Sequence, residues 1–165
     1  MNTDRISHIE ELLDIQYEKL NDLEKGLALQ GPGVSQTALK QQIKRDVRPE
    51  ISRLESELAT LLADTDLADD GNLEVEAQAI CDETAATVDV LVGQNKNASS
   101  KEVLEKLEQI QSALNAPGKS AAAKLKVSLP IIPLISSYEL ELDTESTLKQ
   151  VWDRVRSFFR KNSRP

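Results

Sequence analysis

Histidine and cysteine, the side chains most used as general bases, strong nucleophiles and metal ligands, are scarce in this 165-residue sequence. His8 is the only histidine and Cys81 the only cysteine. A nucleophilic cysteine needs a base beside it, and a metal site or a general base needs several converging polar groups. His8 has acidic neighbours but no second histidine and no cysteine nearby, and Cys81 follows Ile80. We therefore expect an exposed helical histidine and a small buried cysteine rather than a catalytic pair.

Three further patterns that could hold a metal ion or a phosphate are incomplete. The adjacent carboxylates Glu10-Glu11 and Asp69-Asp70 are typical of a solvated surface. The acidic stretch 64–71 lacks the Asp-x-Asp-x-Asp-Gly order and the final glutamate of a calcium loop. Gly31-Pro32-Gly33 has no lysine, and its proline removes an N–H that a phosphate loop needs. The sequence thus predicts no catalytic residue, no metal and no cofactor, and it argues against an enzyme.

Charge is distributed unevenly along the chain. The formal net charge is −8, but residues 146–165 carry six basic side chains against one acidic, which gives them +5 and leaves −13 on the rest. An acidic body repels phosphates, so we expect no nucleic-acid partner. The basic C-terminal segment could contact an anionic surface or the protein's own acidic body.

The sequence also favours a cytoplasmic location. A single cysteine allows no intramolecular disulfide, which is typical of a reducing compartment. The N-terminus lacks the basic and then apolar pattern of a secretory signal. No stretch approaches the ~18 uninterrupted apolar residues of a membrane-spanning helix.

Two long amphipathic helices are predicted in the first 64 residues, at about 4–28 and 35–63. The breaker Gly31-Pro32-Gly33 separates them, and Pro49 predicts a kink near Val47 or two abutting helices. Apolar side chains spaced three and four apart form a narrow seam on each helix, as in coiled coils. The predicted association seam consists of Ile6, Ile9, Leu13, Leu20, Leu23, Leu27, Ile43, Val47, Ile51, Leu54 and Leu58. It could close within one chain or between two chains.

An acidic linker at 65–72 is the predicted domain boundary, and two shorter helices follow it. They cover about 73–92 and 100–114. The expected apolar face of the first comprises Val75, Ala79, Ile80, Ala86, Val88 and Leu91, and that of the second comprises Val103, Leu104, Leu107, Ile110 and Leu114.

Residues 124–143 predict a β-hairpin. Folding the segment about Ile132-Pro133 places Lys124 opposite Glu141 and Lys126 opposite Glu139, with apolar partners on the other face. Such cross-strand pairs stabilise an antiparallel ribbon by roughly 0.2–1 kcal/mol each. The tip, 129–135, is apolar, so the body, a partner or a membrane must cover it.

A last helix is predicted over about 144–161. Its aromatic side chains lie beside a basic face, which suits an anionic membrane, a partner's groove or packing on the body. Candidate partner or membrane contacts on the hairpin tip and on this helix are Leu129, Ile131, Ile132, Leu134, Ile135, Trp152, Phe158 and Phe159.

Two segments resemble parts of known bacterial proteins. Residues 124–159, with Leu-Pro-Ile-Ile-Pro-Leu-Ile, Ser-Tyr-Glu-Leu-Glu-Leu-Asp-Thr-Glu and Val-Trp-Asp-Arg-Val-Arg-Ser-Phe-Phe, resemble a segment of cyanobacterial multidomain signalling proteins that carry pentapeptide repeats or NTPase and protease-like effector domains. The first helical pair, ending Glu-Ile-Ser-Arg-Leu-Glu-Ser-Glu-Leu, is similar to hairpins that precede NACHT-type NTPase and other effector domains. The resemblance implies a non-catalytic association module. No effector domain follows Pro165 here, which favours a free-standing adaptor or regulator.

Together these observations predict a mainly α protein: an antiparallel, coiled-coil-like helical hairpin (1–64), the linker (65–72), and an α unit with one β-hairpin and a basic C-terminal helix (73–165). The expected function is a protein–protein interaction or adaptor module in bacterial signalling or defence, with a protein partner or self-association. The alternative is a peripheral membrane protein that engages anionic lipid through the hairpin tip and the last helix.

Overall fold

The computed structural model describes residues 2–31, 33–67, 72–95, 101–135 and 147–163, which are mainly helical. The elements are α1 (Asn2–Leu29), α2 (Val34–Gln42), a π-helical turn (Ile43–Val47), α3 (Arg48–Ala63), α4 (Leu73–Asn95), α5 (Lys101–Leu114), α6 (Ala121–Ser128) and α7 (Thr147–Asn162). The predicted helical fold class is confirmed for these ranges.

The chain divides into two compact units, Met1–Leu58 and Ala59–Pro165. The division lies within α3, ahead of the acidic segment 65–72, of which residues 68–71 lie outside the described ranges. Leu58, the last residue of the predicted seam, is also the last residue of the first unit.

In the first unit, α1 runs antiparallel to α2 and the first part of α3. Gly26, near the end of α1, lies beside Leu39 of α2, and Arg5, near its start, pairs with Glu57 of α3. The two apolar seams face each other between these helices and exclude water, which is the usual source of stability for an amphipathic hairpin.

The π-helical turn Ile43–Val47 accounts for the irregularity that Pro49 predicts. The Arg48 N–H donates to the carbonyl of Ile43, five residues earlier, and α3 begins at Arg48. A proline ring inside an α-helix clashes with the carbonyl four residues before it, here that of Arg45. Widening the preceding turn relieves that clash, and π turns are a known cause of helix irregularity.

In the second unit, α4 packs against α5, α6 and α7, and α5 also packs against α6. The core between them contains Trp152, Phe158 and Phe159 of α7, with the two phenylalanine rings edge to face at a centroid separation of 5.4 Å. Edge-to-face pairs are a favoured aromatic geometry. All the described aromatic side chains of this unit lie on α7.

The predicted β-hairpin at 124–143 is wrong over its described part, 124–135. Residues 124–128 belong to α6, a turn follows at 129–131, and 132–135 form a further helical turn. The remainder, including Glu139 and Glu141, lies outside the described residues. The described ranges contain no strand, only an isolated antiparallel bridge between Leu67 and Ser163.

Local helix signals explain this correction. The Ser120 hydroxyl accepts a hydrogen bond from the Ala123 N–H at 3.2 Å and caps α6, and three consecutive alanines, the best helix formers, begin the helix. Leu129 keeps helical backbone and bonds to the Leu125 carbonyl, but Pro130 has no N–H to continue the hydrogen-bond series, so α6 ends there. Charges that alternate along a strand also fit the surface of a short helix. The pattern of opposite charges therefore could not distinguish a β-hairpin from a helix over 124–128.

Candidate interaction surface

The residues proposed as partner or membrane contacts are mostly in the core of the second unit. Those that are buried comprise Leu129, Ile132, Ile135, Trp152, Phe158 and Phe159, while Ile131 and Leu134 are half-buried. The structure thus brings the turn after α6 and the apolar side of α7 into the same unit. Contact with a membrane or partner through these side chains stays a prediction that requires them to leave the core.

The predicted association seam lies along the inner faces of α1, α2, the π turn and α3. Nine of its residues are buried: Ile6, Ile9, Leu13, Leu20, Ile43, Val47, Ile51, Leu54 and Leu58. Leu23 and Leu27 are half-buried. In this chain the two seams face each other, so pairing between chains would have to replace these contacts.

The two side chains considered for nucleophilic chemistry lie in different environments. His8 is exposed on α1. Cys81 is buried on α4, with its Sγ 3.4 Å from the Ala121 carbonyl oxygen. Burial raises the pKa of the Cys81 thiol to about 11, although Lys124 acts in the opposite direction. A thiol that is protonated and enclosed at neutral pH is a poor nucleophile.

Within the described ranges, no group of three or more His, Cys, Asp and Glu side chains is placed to hold a metal ion. Among the same residues, no helix combines the length and apolarity required to cross a membrane.

The basic face of α7 contacts acidic side chains of α4. Arg154 forms an ion pair with Glu83, and Lys161 Nζ lies 3.5 Å from a carboxylate oxygen of Glu76. A shallow groove of about 290 Å³ lies between the two helices along this line. The basic C-terminal segment is expected from the sequence to contact either an anionic surface or the protein's own acidic body. Arg154 and Lys161 contact the acidic side chains of α4.

The surface that the sequence analysis missed is the outer face of α4. Ala77, Ile80, Cys81, Thr84, Val88 and Leu91 lie on its buried side. Val75, Ala79, Ala86 and Val90 lie about half a turn away around the helix axis and are exposed, Val75 at 72% and Val90 at 58%. We call this set the outer stripe. The predicted apolar face included Val75, Ala79 and Ala86 together with the buried Ile80, Val88 and Leu91. Calculating the angle of each residue around the helix axis would have separated the two sides.

Carboxylates lie along both edges of the outer stripe. Glu76 and Glu83, the partners of the α7 cations, are on one edge. Asp82 and Asp89 are on the other, where they accept hydrogen bonds from the side-chain amides of Gln78 (2.9 Å) and of Gln111 on α5 (2.8 Å). Helix α4 contains no lysine or arginine. Its exposed side is therefore apolar along the middle and negative along one edge.

A second surface feature is a groove of about 690 Å³ between α5 and α6. Glu105 and Glu108 of α5 line it together with Val127 of α6, which is 46% exposed. Its lining mixes apolar side chains with polar ones such as Ser112 and Lys119.

Comparison with protein-family models finds no match for this chain, and comparisons with curated proteins and with solved structures find none either.

Proposed function

We propose that this protein is a non-catalytic interaction or adaptor module that binds another protein through the outer stripe of α4. The supporting observation is that α4 is apolar on two opposite sides, with one side packed in the second unit and the other exposed. Exposed apolar patches that run along an element commonly mark interaction sites.

The cellular setting belongs to the same proposal. The resemblance to modules of bacterial signalling and conflict proteins, and the lone reduced cysteine, favour a cytoplasmic adaptor in signalling or defence. The buried thiol of Cys81 and the exposed, isolated position of His8 suit a protein that binds without doing chemistry.

The test compares partners captured from a lysate of the source cells by three forms of this 165-residue chain: the native sequence and two variants. Ala86→Glu places a charge in the centre of the outer stripe, while Val127→Glu makes a matched apolar-to-acidic change at an exposed site on α6. We expect at least one protein whose recovery falls tenfold or more with Ala86→Glu and is unchanged with Val127→Glu, since tenfold corresponds to only about 1.4 kcal/mol.

If all three forms recover the same proteins, the outer stripe is not a binding surface and the proposal fails. Helicity and melting temperature measured by circular dichroism should be the same for the three forms, because both substitutions lie on exposed helix surface.

A further inference from the structure

We infer that the occupant of the outer stripe is a basic amphipathic helix from a different protein, carrying lysine or arginine at two positions seven residues apart beside a narrow apolar face. This inference rests on the proposed function and names the partner class for the same surface.

The length of the outer stripe and the sizes of its side chains fit a helical partner. From Val75 to Val90 it extends roughly 22 Å at 1.5 Å per residue, about four helical turns. The alanines at 79 and 86 make its centre low, so that a second helix axis can come close, and the valines at either end provide larger contacts. Packing a helix into a groove by residues three, four and seven apart is a common recognition mode.

The charge along the outer stripe determines whether the partner should carry basic or acidic side chains. Glu76 and Glu83 on one edge are already paired with cations of α7. On the other edge, the described structure pairs Asp82 and Asp89 with neutral amides only, so their negative charge is not compensated by a basic side chain. A partner with cations along that edge would gain complementary charge, whereas an acidic one would be repelled.

The spacing of these aspartates sets the spacing on the partner. Asp82 and Asp89 are seven residues apart, roughly 10.5 Å along the axis, and therefore lie on the same side of the helix. An approximately parallel or antiparallel partner helix would match them with basic residues that are also seven apart.

The same charges disfavour a second copy of this chain. Two outer stripes centred on Ala86 would bring the acidic edge of one α4 close to that of the other, and neither α4 carries a basic residue to compensate. Like charges held in proximity oppose such pairing.

The test is selection from a displayed library of helical peptides against the 165-residue chain. All peptides share one Leu/Ala seam, and the positions flanking it vary among Lys, Glu and Gln. We expect at least tenfold enrichment of Lys over Glu at two flanking positions seven apart, weakened by added salt. Asp82→Asn combined with Asp89→Asn should bring that preference close to parity, and Ala86→Glu should abolish enrichment.

Four results would overturn the inference, and they separate it from the proposed function. Enrichment of acidic or neutral flanks removes the basic-helix partner, while binding through the outer stripe survives. Enrichment that is lost with Val127→Glu but kept with Ala86→Glu places peptide binding on α6 and removes the outer stripe as its site. A mass in sedimentation equilibrium that is dimeric and becomes monomeric with Ala86→Glu assigns the stripe to a second copy. Failure to enrich any peptide, together with identical recovery in the lysate experiment, removes both proposals. Val90→Glu replaces Ala86→Glu throughout if the latter lowers the melting temperature.

Discussion

Glu55 is the clearest case in which a single side chain links sequence to stability. It is only 5% exposed on α3, and its carboxylate accepts a hydrogen bond of 2.6 Å from the Tyr17 hydroxyl of α1. Burying a carboxylate is costly unless its hydrogen bonds are satisfied. The pair therefore also specifies how α1 aligns on α3, since sliding either helix would leave the carboxylate without this donor.

Tyr17→Phe removes this donor with little change of volume. We expect the free energy of unfolding in urea to fall by about 1–3 kcal/mol, because a hydrogen bond to a charged, buried acceptor is lost. Arg53→Ala on the same helix is the control. Arg53 pairs with Glu50 and Glu57 on the exposed surface, and its loss should change stability by less than about 1 kcal/mol. Equal effects of the two substitutions would contradict the role given to Tyr17.

Cys81 makes stability depend on pH in the alkaline range. Its thiol pKa is about 11 in the folded protein against 9.0 for the unperturbed group, because burial disfavours the thiolate. A group whose pKa is raised by folding stabilises the fold fully below its unfolded pKa and loses that contribution as pH rises through the folded value. The loss should therefore occur between about pH 9 and pH 11.

The measurement is urea unfolding at pH 8 and at pH 10.5 for the native sequence and for Cys81→Ala, with both pH values chosen to bracket roughly the ionisation of an unfolded thiol. We expect the native sequence to lose more stability than the variant over this interval. Alkylation of the native thiol at pH 8 should also be slow and should accelerate in denaturant. Rapid alkylation without denaturant would show that Cys81 is accessible.

At the scale of the element, α4 has one apolar side that is buried and another that is exposed. Ala77 and Ala79 are two residues apart, yet Ala77 is fully buried and Ala79 is exposed. Ala77→Glu should strongly lower the urea midpoint, because it buries a charge in the core of the second unit. Ala79→Glu should leave the midpoint nearly unchanged. Similar effects of the two changes would mean that the outer stripe is covered within the chain.

The sequence predicted elements best where periodicity alone decides the outcome. The seams of α1, α2 and α3 and the apolar face of α5 follow three- and four-residue spacing, and their members are buried or half-buried. The spacing failed on α4, where apolar residues occur on both sides and no polar side identifies the exposed one. It also failed over 124–128, where the cap at Ser120 and the alanines outweigh the alternating charges.

At the scale of the whole molecule, basic and acidic segments that are distant in the sequence form ion pairs with each other in the fold. The fold pairs Arg154 with Glu83 and Lys161 with Glu76, although the two partners of each pair are more than seventy positions apart in the chain. A charge count identifies both segments but not their proximity. The outer stripe was missed for the same reason, because exposure is a property of the folded unit.

These ion pairs bear on the alternative membrane function. We expect the native protein not to co-sediment with phosphatidylserine vesicles at low salt, because the aromatic side of α7 is buried and two of its cations are already paired. Phosphatidylcholine vesicles are the control for charge-independent binding. Salt-sensitive binding that increases with Glu76→Gln and Glu83→Gln, which free the cations of α7 without changing that helix, would favour the membrane function instead.

The π-helical turn has a consequence for the length of the chain. From Leu39 the inward-facing residues follow at spacings of four, four, four, three and four, through Ile43, Val47, Ile51, Leu54 and Leu58. Removing one residue between Ile43 and Val47 would give four, three, four, three and four, the regular repeat of an unbroken α-helical seam. The turn therefore marks the site of one surplus amino acid. Some homologous sequences should therefore lack one residue between Ile43 and Val47. A one-residue deletion between Ile51 and Leu54 should not occur, because it would rotate the following seam residues out of the interface.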